Sequence, residues 1–465
     1  MSIDAARNIS LEELDKQVLL HPATSIAEHQ DKGPVIFKRA GGVHVYDNND
    51  KRYIDAAAAL WCVNIGYGRK RLAEVAKEEM ERIGFYHTFG AASNEPQILL
   101  ADKLIQLLHD HADCTQISKI FFGLSGSDAN DTQFKLARYY NNLRGKPNKK
   151  KIISRIGAYH GVSAAAGSLT GIPLYHKAFD LPIDGVLHTS CPNFWKYGDP
   201  GESEEEFTNR MVKDLEDLIL SEGPDTVAAF IAEPVMGTGG VIVPTRDYYH
   251  RIQAILKEHD ILLIVDEVIT GFGRLGSWFG SSFYGIKPDL MSFAKGLTSA
   301  YFPMSAVAVA GHVWQVFADG TPEIGVFGHG FTYSGHPVGA AVGLANLEIM
   351  EEENLISNAA KIGPYLKQSL VGRLGDHPNI GQIRGEGLMI GVEYCAGRNS
   401  KEAPEMSPPA HKQVAIAAQE RGLLTRALPF LPVNSFSPPL TFTKADADET
   451  VDIFVDSVES VFGKG

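Results

Sequence analysis

The alternation of short apolar runs with longer helical patterns constrains the fold of this chain more than any other feature. Each run contains four to six residues, is rich in aliphatic and aromatic side chains, and shows no regular alternation of polar and apolar positions. Helical patterns, for example at residues 204–220 and 247–258, separate several of the runs. Short buried strands between helices predict an α/β fold with a mainly parallel sheet that is covered on both faces. The predicted strands are residues 119–122, 151–154, 227–232, 261–265 and 290–293.

The two ends of the chain show a different pattern. Residues 41–50 are typical of a hairpin, because polar turn residues lie between β-rich arms. From about residue 338 a long helix is predicted through Glu351, and β-type segments follow at residues 383–393 and 435–442. Residues 396–409 contain three prolines and are predicted to form an exposed loop.

These patterns predict a division into a large and a small domain. We expect residues 63–337 to form the large, ligand-binding domain. Residues 1–62 and 338–465 are expected to form a smaller α+β domain together.

Composition limits the classes of partner and the compartment. A net charge of -13 and a pI near 5.7 argue against nucleic acid and anionic membrane surfaces as partners. No apolar run has the length of a membrane span, and the sequence from Met1 to Ala5 lacks the apolar core of a signal peptide. The four cysteines are scattered without a C-x-x-C pair, which is typical of a protein in a reducing cytoplasm.

A lysine and an aspartate at two strand ends indicate a cofactor. Lys295 follows the apolar run at residues 290–293 and stands among small residues. A shielded ammonium is costly and its pKa can fall, which suits Schiff-base chemistry. Asp266 ends the most apolar run, where a carboxylate needs a proton or a partner such as a pyridinium N–H. Together they indicate covalently bound pyridoxal 5'-phosphate (PLP), with a structural salt bridge of Asp266 as the alternative.

The segment at residues 123–132 has the composition of an anion-binding turn. Small residues connect a predicted strand to the start of a predicted helix. Such residues let backbone N–H groups approach a phosphate at the helix N-terminus. A Ser125 cap on an ordinary helix is the alternative. The segment lacks the G-K-[ST] ending of a nucleotide-binding loop.

Two further strand ends carry candidate side chains. Tyr159 follows the run at residues 151–154, and an aromatic ring there can stack on a planar ligand; a core tyrosine is the alternative. His160 has no partner at metal-site spacing, so no metal site is expected. Glu233 follows the run at residues 227–232 and can form a hydrogen bond near a ligand; a loop acid in water is the alternative.

Residues 271–276 match the G-x-G-x-x-G pattern of dinucleotide-binding proteins. The pattern does not follow its strand directly, and no acidic residue stands at the offset of about twenty residues that a ribose contact requires. A nicotinamide-dependent dehydrogenase is therefore not predicted.

Taken in order and spacing, these motifs resemble the class III aminotransferases. The resemblance extends from about residue 20 to the C-terminus and is strongest to the pyruvate-dependent ω-transaminases. It implies the fold type I architecture with PLP as cofactor. It also implies a homodimer, or a tetramer, with active sites at the subunit interface. The matching motifs are Ser125-Gly-Ser-Asp-Ala-Asn-Asp-Thr132, Tyr159-His-Gly161, Glu233-Pro-Val235, Asp266-Glu-Val-Ile-Thr-Gly-Phe-Gly-Arg-Leu-Gly276 and Lys295-Gly296.

The resemblance also implies the cofactor contacts. Lys295 would bind the cofactor covalently and carry the proton, and Asp266 would pair with the pyridine nitrogen. The other implied cofactor contacts are Tyr159 and Val268 on the two ring faces, Gly126 and Ser127 at the phosphate, Glu233 close by, and Thr332, which would reach the phosphate in the partner subunit.

The substrate contacts follow from the same resemblance. Arg426 matches the mobile arginine that binds substrate carboxylates, and Pro429 and Pro432 just beyond it suggest an irregular segment. The other implied substrate contacts are Trp61, Phe89 and Tyr159, with Phe85 and Tyr86 beside Phe89; plain aromatic core is the alternative for these rings.

The implied reaction moves an amino group from an amine or ω-amino acid to pyruvate, or to another keto acid, by a ping-pong mechanism. Ile269 stands where ornithine- and aminobutyrate-type relatives usually carry glutamine, which favours the ω-amine branch. The alternatives are another PLP reaction on the same fold, by a decarboxylase or an aminomutase, and a cofactor-binding regulatory protein.

Overall fold

The computed structural model of the chain describes residues 9–465, and the predicted absence of a signal peptide at Met1–Ala5 lies outside this range. The strands of the described chain are β1 (Phe37–Gly41), β2 (His44–Asp47), β3 (Arg52–Asp55), β4 (Ile117–Gly123), β5 (Lys151–Arg155), β6 (Val186–Thr189), β7 (Val227–Ala232), β8 (Leu262–Asp266), β9 (Leu290–Phe293), β10 (Ser305–Ala310), β11 (Ile380–Glu386), β12 (Met389–Tyr394), β13 (Leu423–Leu424), β14 (Arg426–Ala427) and β15 (Val433–Phe436).

The helices surround these strands and alternate with them along the chain. They are α1 (Leu11–Val18), α2 (Ile26–Lys32), α3 (Ala58–Trp61), α4 (Lys70–Arg82), α5 (Glu95–Ala112), α6 (Gly126–Leu143), α7 (Ala164–Leu169), α8 (Phe194–Tyr197), α9 (Glu204–Glu222), α10 (Tyr248–Glu258), α11 (Gly280–Tyr284), α12 (Gly311–Ile324), α13 (Pro337–Glu352), α14 (Leu355–Leu374), α15 (Ala410–Glu420) and α16 (Lys444–Phe462), with short 3₁₀ turns at Phe89–Ala91, Pro173–Tyr175, Pro224–Thr226 and Lys295–Leu297.

The central sheet has seven strands in the order β4-β10-β9-β8-β7-β5-β6. Strands β9, β8, β7, β5 and β6 are parallel to one another, whereas β10 lies antiparallel between β4 and β9. Every residue of β7, β8, β9 and β10 is buried, as expected for a sheet that is covered on both faces. The predicted α/β fold with a mainly parallel sheet is confirmed.

Two strands of the central sheet, β6 and β10, were not predicted. A predicted strand outside this sheet, β15, is shorter than expected. Strand β10 consists of Ser, Ala and Val, and β6 contains His and Thr, so neither has a strong β pattern. The β-type segment predicted through residue 442 ends as a strand at Phe436. Pro438 and Pro439 follow, and proline has no N–H for a ladder hydrogen bond.

The two ends of the chain meet in one sheet. Its order is β1-β2-β3-β13, and Leu423 of β13 is aligned in parallel with Ile54 of β3. A third sheet, β11-β12-β15-β14, consists of C-terminal strands only. The hairpin predicted at residues 41–50 and the helix predicted from about residue 338 are both present. The domain boundaries at 62/63 and 337/338 stay a prediction.

Residues 396–409 contain neither helix nor strand, as predicted. Within residues 9–465, no helix has the length and apolar character that a membrane span requires.

Candidate active site

Four adjacent parallel strands bring the predicted site residues to one edge of the central sheet. Ala232 of β7 lies beside Val265 of β8, and Asp266 lies beside Ser292 of β9. The residues that directly follow these strands therefore emerge together, as ligand-binding residues do in open α/β sheets. A cavity at this edge is lined by eight of the predicted residues, namely Gly126, Ser127, Tyr159, Glu233, Asp266, Val268, Lys295 and Arg426.

Lys295 extends into this cavity from the turn after β9. Its backbone has a φ of 45°, in the left-handed region that non-glycine residues rarely adopt, and such backbone is concentrated at functional sites. Burial lowers the pKa of its amine. No residue between 9 and 465 accepts a hydrogen bond from its Nζ atom or forms an ion pair with it. The lysine is thus a shielded amine without a protein partner, as covalent chemistry requires.

Asp266 is buried at the wall of the cavity and is held by three hydrogen bonds. Its Oδ2 atom accepts from Asn130 Nδ2 at 2.7 Å and lies 2.9 Å from His160 Nδ1. Its Oδ1 atom accepts from the Val268 N–H at 3.0 Å. No lysine or arginine among the described residues pairs with the carboxylate. If Asp266 forms a structural salt bridge, which was the alternative, its only possible partner among the described residues is His160.

The turn between β4 and α6 presents the N-terminus of an 18-residue helix to the cavity. Ser125 caps the helix by accepting from Asp128 N. Asp128 in turn accepts from the N–H groups of Leu124 and Ser125 at 2.8 and 3.0 Å, which fixes the turn. The Ser125 cap does not exclude the predicted anion site, because Gly126 and Ser127 at the start of the helix line the cavity.

Close packing around Ser127 and Gly126 limits the residues that can stand there. A Cβ atom on Gly161 would lie 2.5 Å from Ser127 Oγ, and one on Gly126 would lie 3.0 Å from a methyl group of Val268. Ser127 Oγ accepts from the Val162 N–H at 3.2 Å. This end of the cavity, at the N-terminus of α6, is therefore formed by backbone and small side chains.

Glu233 acts on the backbone beside Tyr159. Its carboxylate oxygens accept from the N–H groups of Tyr159 at 3.0 Å and Gly237 at 2.8 Å. The side chain is buried, and burial raises the pKa of its carboxyl group. The alternative of a loop acid in water is wrong: Glu233 joins the loops after β5 and β7 and thereby positions Tyr159, whose ring centroid lies 5.4 Å from that of Tyr175.

Arg426 reaches the cavity from β14 in the third sheet. Burial lowers the pKa of its guanidinium, which nevertheless stays charged in proteins. Across the described chain it has no carboxylate partner and no hydrogen-bond acceptor. The irregular segment expected beyond it covers residues 428–432, whereas Arg426 itself pairs with Ser435 in a strand.

The remaining predicted residues lie outside the cavity of the single chain. Trp61 is 1% exposed in an apolar cluster, and its neighbour Leu60 lines the cavity instead. Phe89 is half exposed near the 3₁₀ turn that it begins, and Phe85 and Tyr86 are exposed as well. Thr332 is exposed in a turn before α13. Their predicted contacts with substrate or with a partner's cofactor stay predictions.

Two residues of the site that contact Asp266 were not assigned to it from sequence. Asn130 lies four residues after Gly126 in α6, so both residues occupy one face of the helix, and this spacing could have revealed it. His160 was considered only as a base or a metal ligand. Its ring instead contacts Asp266, and its Nε2 atom is buried without a partner among the described residues.

The residues present fit PLP. A partnerless amine, a buried carboxylate and a small-residue helix N-terminus line one cavity. These groups match the aldehyde, the pyridine nitrogen and the phosphate of the cofactor. Arg426 lines the same cavity without a partner among the described residues.

Comparison with known proteins decides the family. The family model of class-III aminotransferases matches residues 25–458. The chain belongs to the class III aminotransferases. Diaminobutyrate–2-oxoglutarate transaminase of Halomonas elongata is 46% identical over 94% of this chain and 93% of that protein. Gamma aminobutyrate transaminase 1 of Solanum lycopersicum is 45% identical over 94% of this chain and 83% of that protein.

A solved structure agrees with both the fold and the cofactor. The omega transaminase from Pseudomonas jessenii, solved in complex with PMP, has a TM-score of 0.94 and is 44% identical, over 98% of this chain and all of that chain. This class III aminotransferase is therefore a PLP-dependent enzyme of fold type I that transfers an amino group to a keto acid. Neither the decarboxylase or aminomutase alternative nor a regulatory protein is supported. The G-x-G-x-x-G segment forms consecutive turns instead of a dinucleotide-binding helix start.

Proposed function

We propose that the enzyme transfers an amino group from a primary amine or an ω-amino acid to pyruvate. The observation that carries this proposal is the unpaired Arg426 guanidinium on the wall of the cavity. Guanidinium binds a carboxylate through two parallel hydrogen bonds, so Arg426 suits the carboxylate of a small keto acid.

The donor half-reaction places a second demand on Arg426. A donor without a carboxylate near its amine leaves the guanidinium without a partner, and a buried, unpaired charge is costly. Because the Arg426 backbone is fixed in β14, the side chain would avoid this cost by rotating about its own torsions. The adjoining cavity provides space, since it shares Leu60 and Arg426 with the active site and carries the polar side chains of Asp55 and Tyr67. The rest of its wall is mostly apolar and includes Phe37, Val45 and Leu424. This wall supports a donor with an apolar chain or ring.

The proton transfer is assigned to Lys295. PLP, when bound, supplies the electron sink for the donor carbon. Burial lowers the pKa of Lys295, which favours the neutral amine that can take a proton. Asp266, positioned by Asn130 and His160, would hold the pyridine nitrogen in its charged form.

The test separates the two half-reactions by following the cofactor absorbance of the purified enzyme. Arg426→Ala should lower the affinity for pyruvate on the order of a hundredfold, as expected for the loss of a charged, bidentate contact of about 2 to 3 kcal/mol. The rate of the half-reaction with a neutral amine should fall by less than a few-fold. Arg421→Ala is the control, because Arg421 is exposed and donates only to Ala417 O in its own helix. Equal losses in both halves, or a loss confined to the amine, would exclude Arg426 as the carboxylate contact.

We also propose a homodimer with shared active sites in a reducing compartment such as the cytoplasm. Support for the dimer comes from exposed aromatic side chains near the 3₁₀ turn at Phe89–Ala91, since large exposed apolar surfaces are typical of interfaces. Phe85 and Tyr333 are both exposed there, with ring centroids 5.3 Å apart. The four cysteines are free, which supports the compartment. Sedimentation of the active enzyme as a monomer would contradict the dimer.

A further inference from the structure

A cluster of three potential metal ligands joins the two N-terminal helices, far along the chain from the catalytic residues. Helix α1 has eight residues and buries none of them, and α2 has seven. Helices this short are marginal on their own. Among the described residues, two side-chain hydrogen bonds join α1 to α2: the Gln30 amide donates to Lys16 O at 2.9 Å, and His29 Nε2 lies 2.8 Å from Asp15 Oδ1.

The side chains of Asp15, His21 and His29 converge on one point. His21 Nε2 lies 2.9 Å and His29 Nε2 lies 2.8 Å from the same Asp15 Oδ1 atom. One potential ligand atom from each residue lies within 4.8 Å of the others. The three residues stand on α1, on the linker and in the last turn of α2, so the fold brings together donors that have no common spacing in the sequence.

The burial of the cluster favours an ion over a loose surface contact. The side chains of His29 and Asp15 are 8% and 14% exposed, and that of His21 is 31% exposed. A largely buried carboxylate needs a positively charged partner, and a divalent cation between Asp15 and the two imidazoles would supply one.

We propose that Asp15, His21 and His29 bind a divalent transition-metal ion of the zinc type. Two imidazole nitrogens and a carboxylate oxygen are a donor set that Zn²⁺ and Co²⁺ accept, with a water in the fourth position. Tetrahedral bonds of about 2.0 to 2.1 Å separate neighbouring ligand atoms by about 3.3 Å. The present contacts between the imidazoles and Asp15 would therefore open by about 0.5 Å, which side-chain rotation can provide.

The site is accessible and its surroundings tolerate a cation. An open cavity of about 280 Å³ beside the cluster is lined by His21, His29 and Glu28, which gives the ion and its water a path from solvent. Lys32 is on the same wall, but it is exposed and its charge is screened by salt. The ion would fix α1 on α2, where the apolar contacts of α1 are few.

Cobalt(II) is the probe, added to the full-length, PLP-loaded enzyme after treatment with a chelator. The wild type should retain one Co²⁺ per chain after gel filtration and show the intense visible bands of four-coordinate cobalt in a difference spectrum. His21→Ala and His29→Ala should each lower the affinity on the order of a hundredfold, because each removes a ligand. His250→Ala is the matched control, since it removes an exposed histidine from α10 and should leave the binding unchanged.

Cofactor absorbance, measured in every variant, reports whether the chain is folded and separates this site from any metal that PLP itself binds. Asp15→Asn keeps the shape of the side chain but should also weaken the binding of Co²⁺. Absence of Co²⁺ binding by the wild type would overturn the proposal. Binding that survives in His21→Ala and His29→Ala, or that falls equally in His250→Ala, would overturn it as well. None of these outcomes depends on the identity of the donor or the acceptor.

Discussion

Replacing Asp266 by Asn tests whether this carboxylate serves the cofactor or only the fold. The side chain keeps its shape but loses its charge, so it can no longer stabilise a protonated pyridine nitrogen. We expect turnover per bound cofactor to fall on the order of a hundredfold or more, which corresponds to about 2.7 kcal/mol in the activation barrier. The stability should fall too, by an amount that follows from the hydrogen bonds.

Either orientation of the new amide places its NH₂ group against a donor that is buried or partly buried. In one orientation it faces Asn130 Nδ2, which lies 2.7 Å from the present oxygen, and in the other it faces the Val268 N–H at 3.0 Å. Asn130 cannot simply turn over, because its Nδ2 also donates to His160 O and its Oδ1 accepts from Gln133. One buried donor thus loses its acceptor, at a cost of about 1 to 3 kcal/mol in the free energy of unfolding.

Glu267 offers a matched control one residue away. It is fully buried, accepts from the N–H groups of Gly280 and Ser281 at 2.9 and 2.6 Å, and does not line the active-site cavity. Glu267→Gln should therefore lower the stability by a similar 1 to 3 kcal/mol, by the same loss of an acceptor, about as much as Asp266→Asn does. Its turnover per bound cofactor should stay close to that of the wild type.

The assays are urea unfolding and single-turnover kinetics of the cofactor absorbance at saturating amine. If Asp266→Asn loses stability but keeps its turnover, Asp266 is only a structural partner of His160 and Asn130. If Glu267→Gln loses turnover as severely as Asp266→Asn, disruption of the fold explains both losses, and the assignment of Asp266 to the cofactor is refuted.

Three further predictions concern the lysine and the phosphate end. Lys295→Ala should abolish nearly all turnover, and borohydride should fix the wild-type cofactor on the peptide that contains Lys295; Lys287→Ala, which removes an exposed lysine paired with Asp113, should stay active. A solvated lysine titrates at a pH of about 10.4, and burial lowers the pKa of Lys295, so its neutral amine forms at a lower pH. The rate at which cofactor-free enzyme binds PLP again should therefore reach its plateau below about pH 10.4. A rate that still rises up to about pH 10.4 would contradict the lowered pKa. Gly161→Ala should weaken PLP binding at least tenfold, about 1.4 kcal/mol, because the new Cβ would lie 2.5 Å from Ser127 Oγ. Gly145 also has a positive φ but stands in open space, so Gly145→Ala should keep the PLP affinity of the wild type. Equal PLP affinity in the two variants would contradict this account.

The sequence alone was sufficient to predict that Lys295 and Asp266 follow or end buried strands and lie at one site. The apolar runs before Asp266 and Lys295 are local patterns, and each predicts a buried strand whatever surrounds it. Parallel strands align their carboxyl ends, so residues that follow such strands meet at one edge of the sheet. The family motifs added Arg426, which local pattern alone would have assigned to the surface.

Tertiary structure decided the rest, because its contacts join residues whose separation along the chain carries no local signal. Strand β10, weak in pattern, is placed between β4 and β9 by packing, and Leu423 joins Ile54 across most of the chain. The same holds for Asn130 and His160 at Asp266, and for Asp15, His21 and His29 at the N-terminal helices. A hydrogen bond or a ligand set depends on atoms within a few ångströms of one another, and only the folded chain fixes those distances.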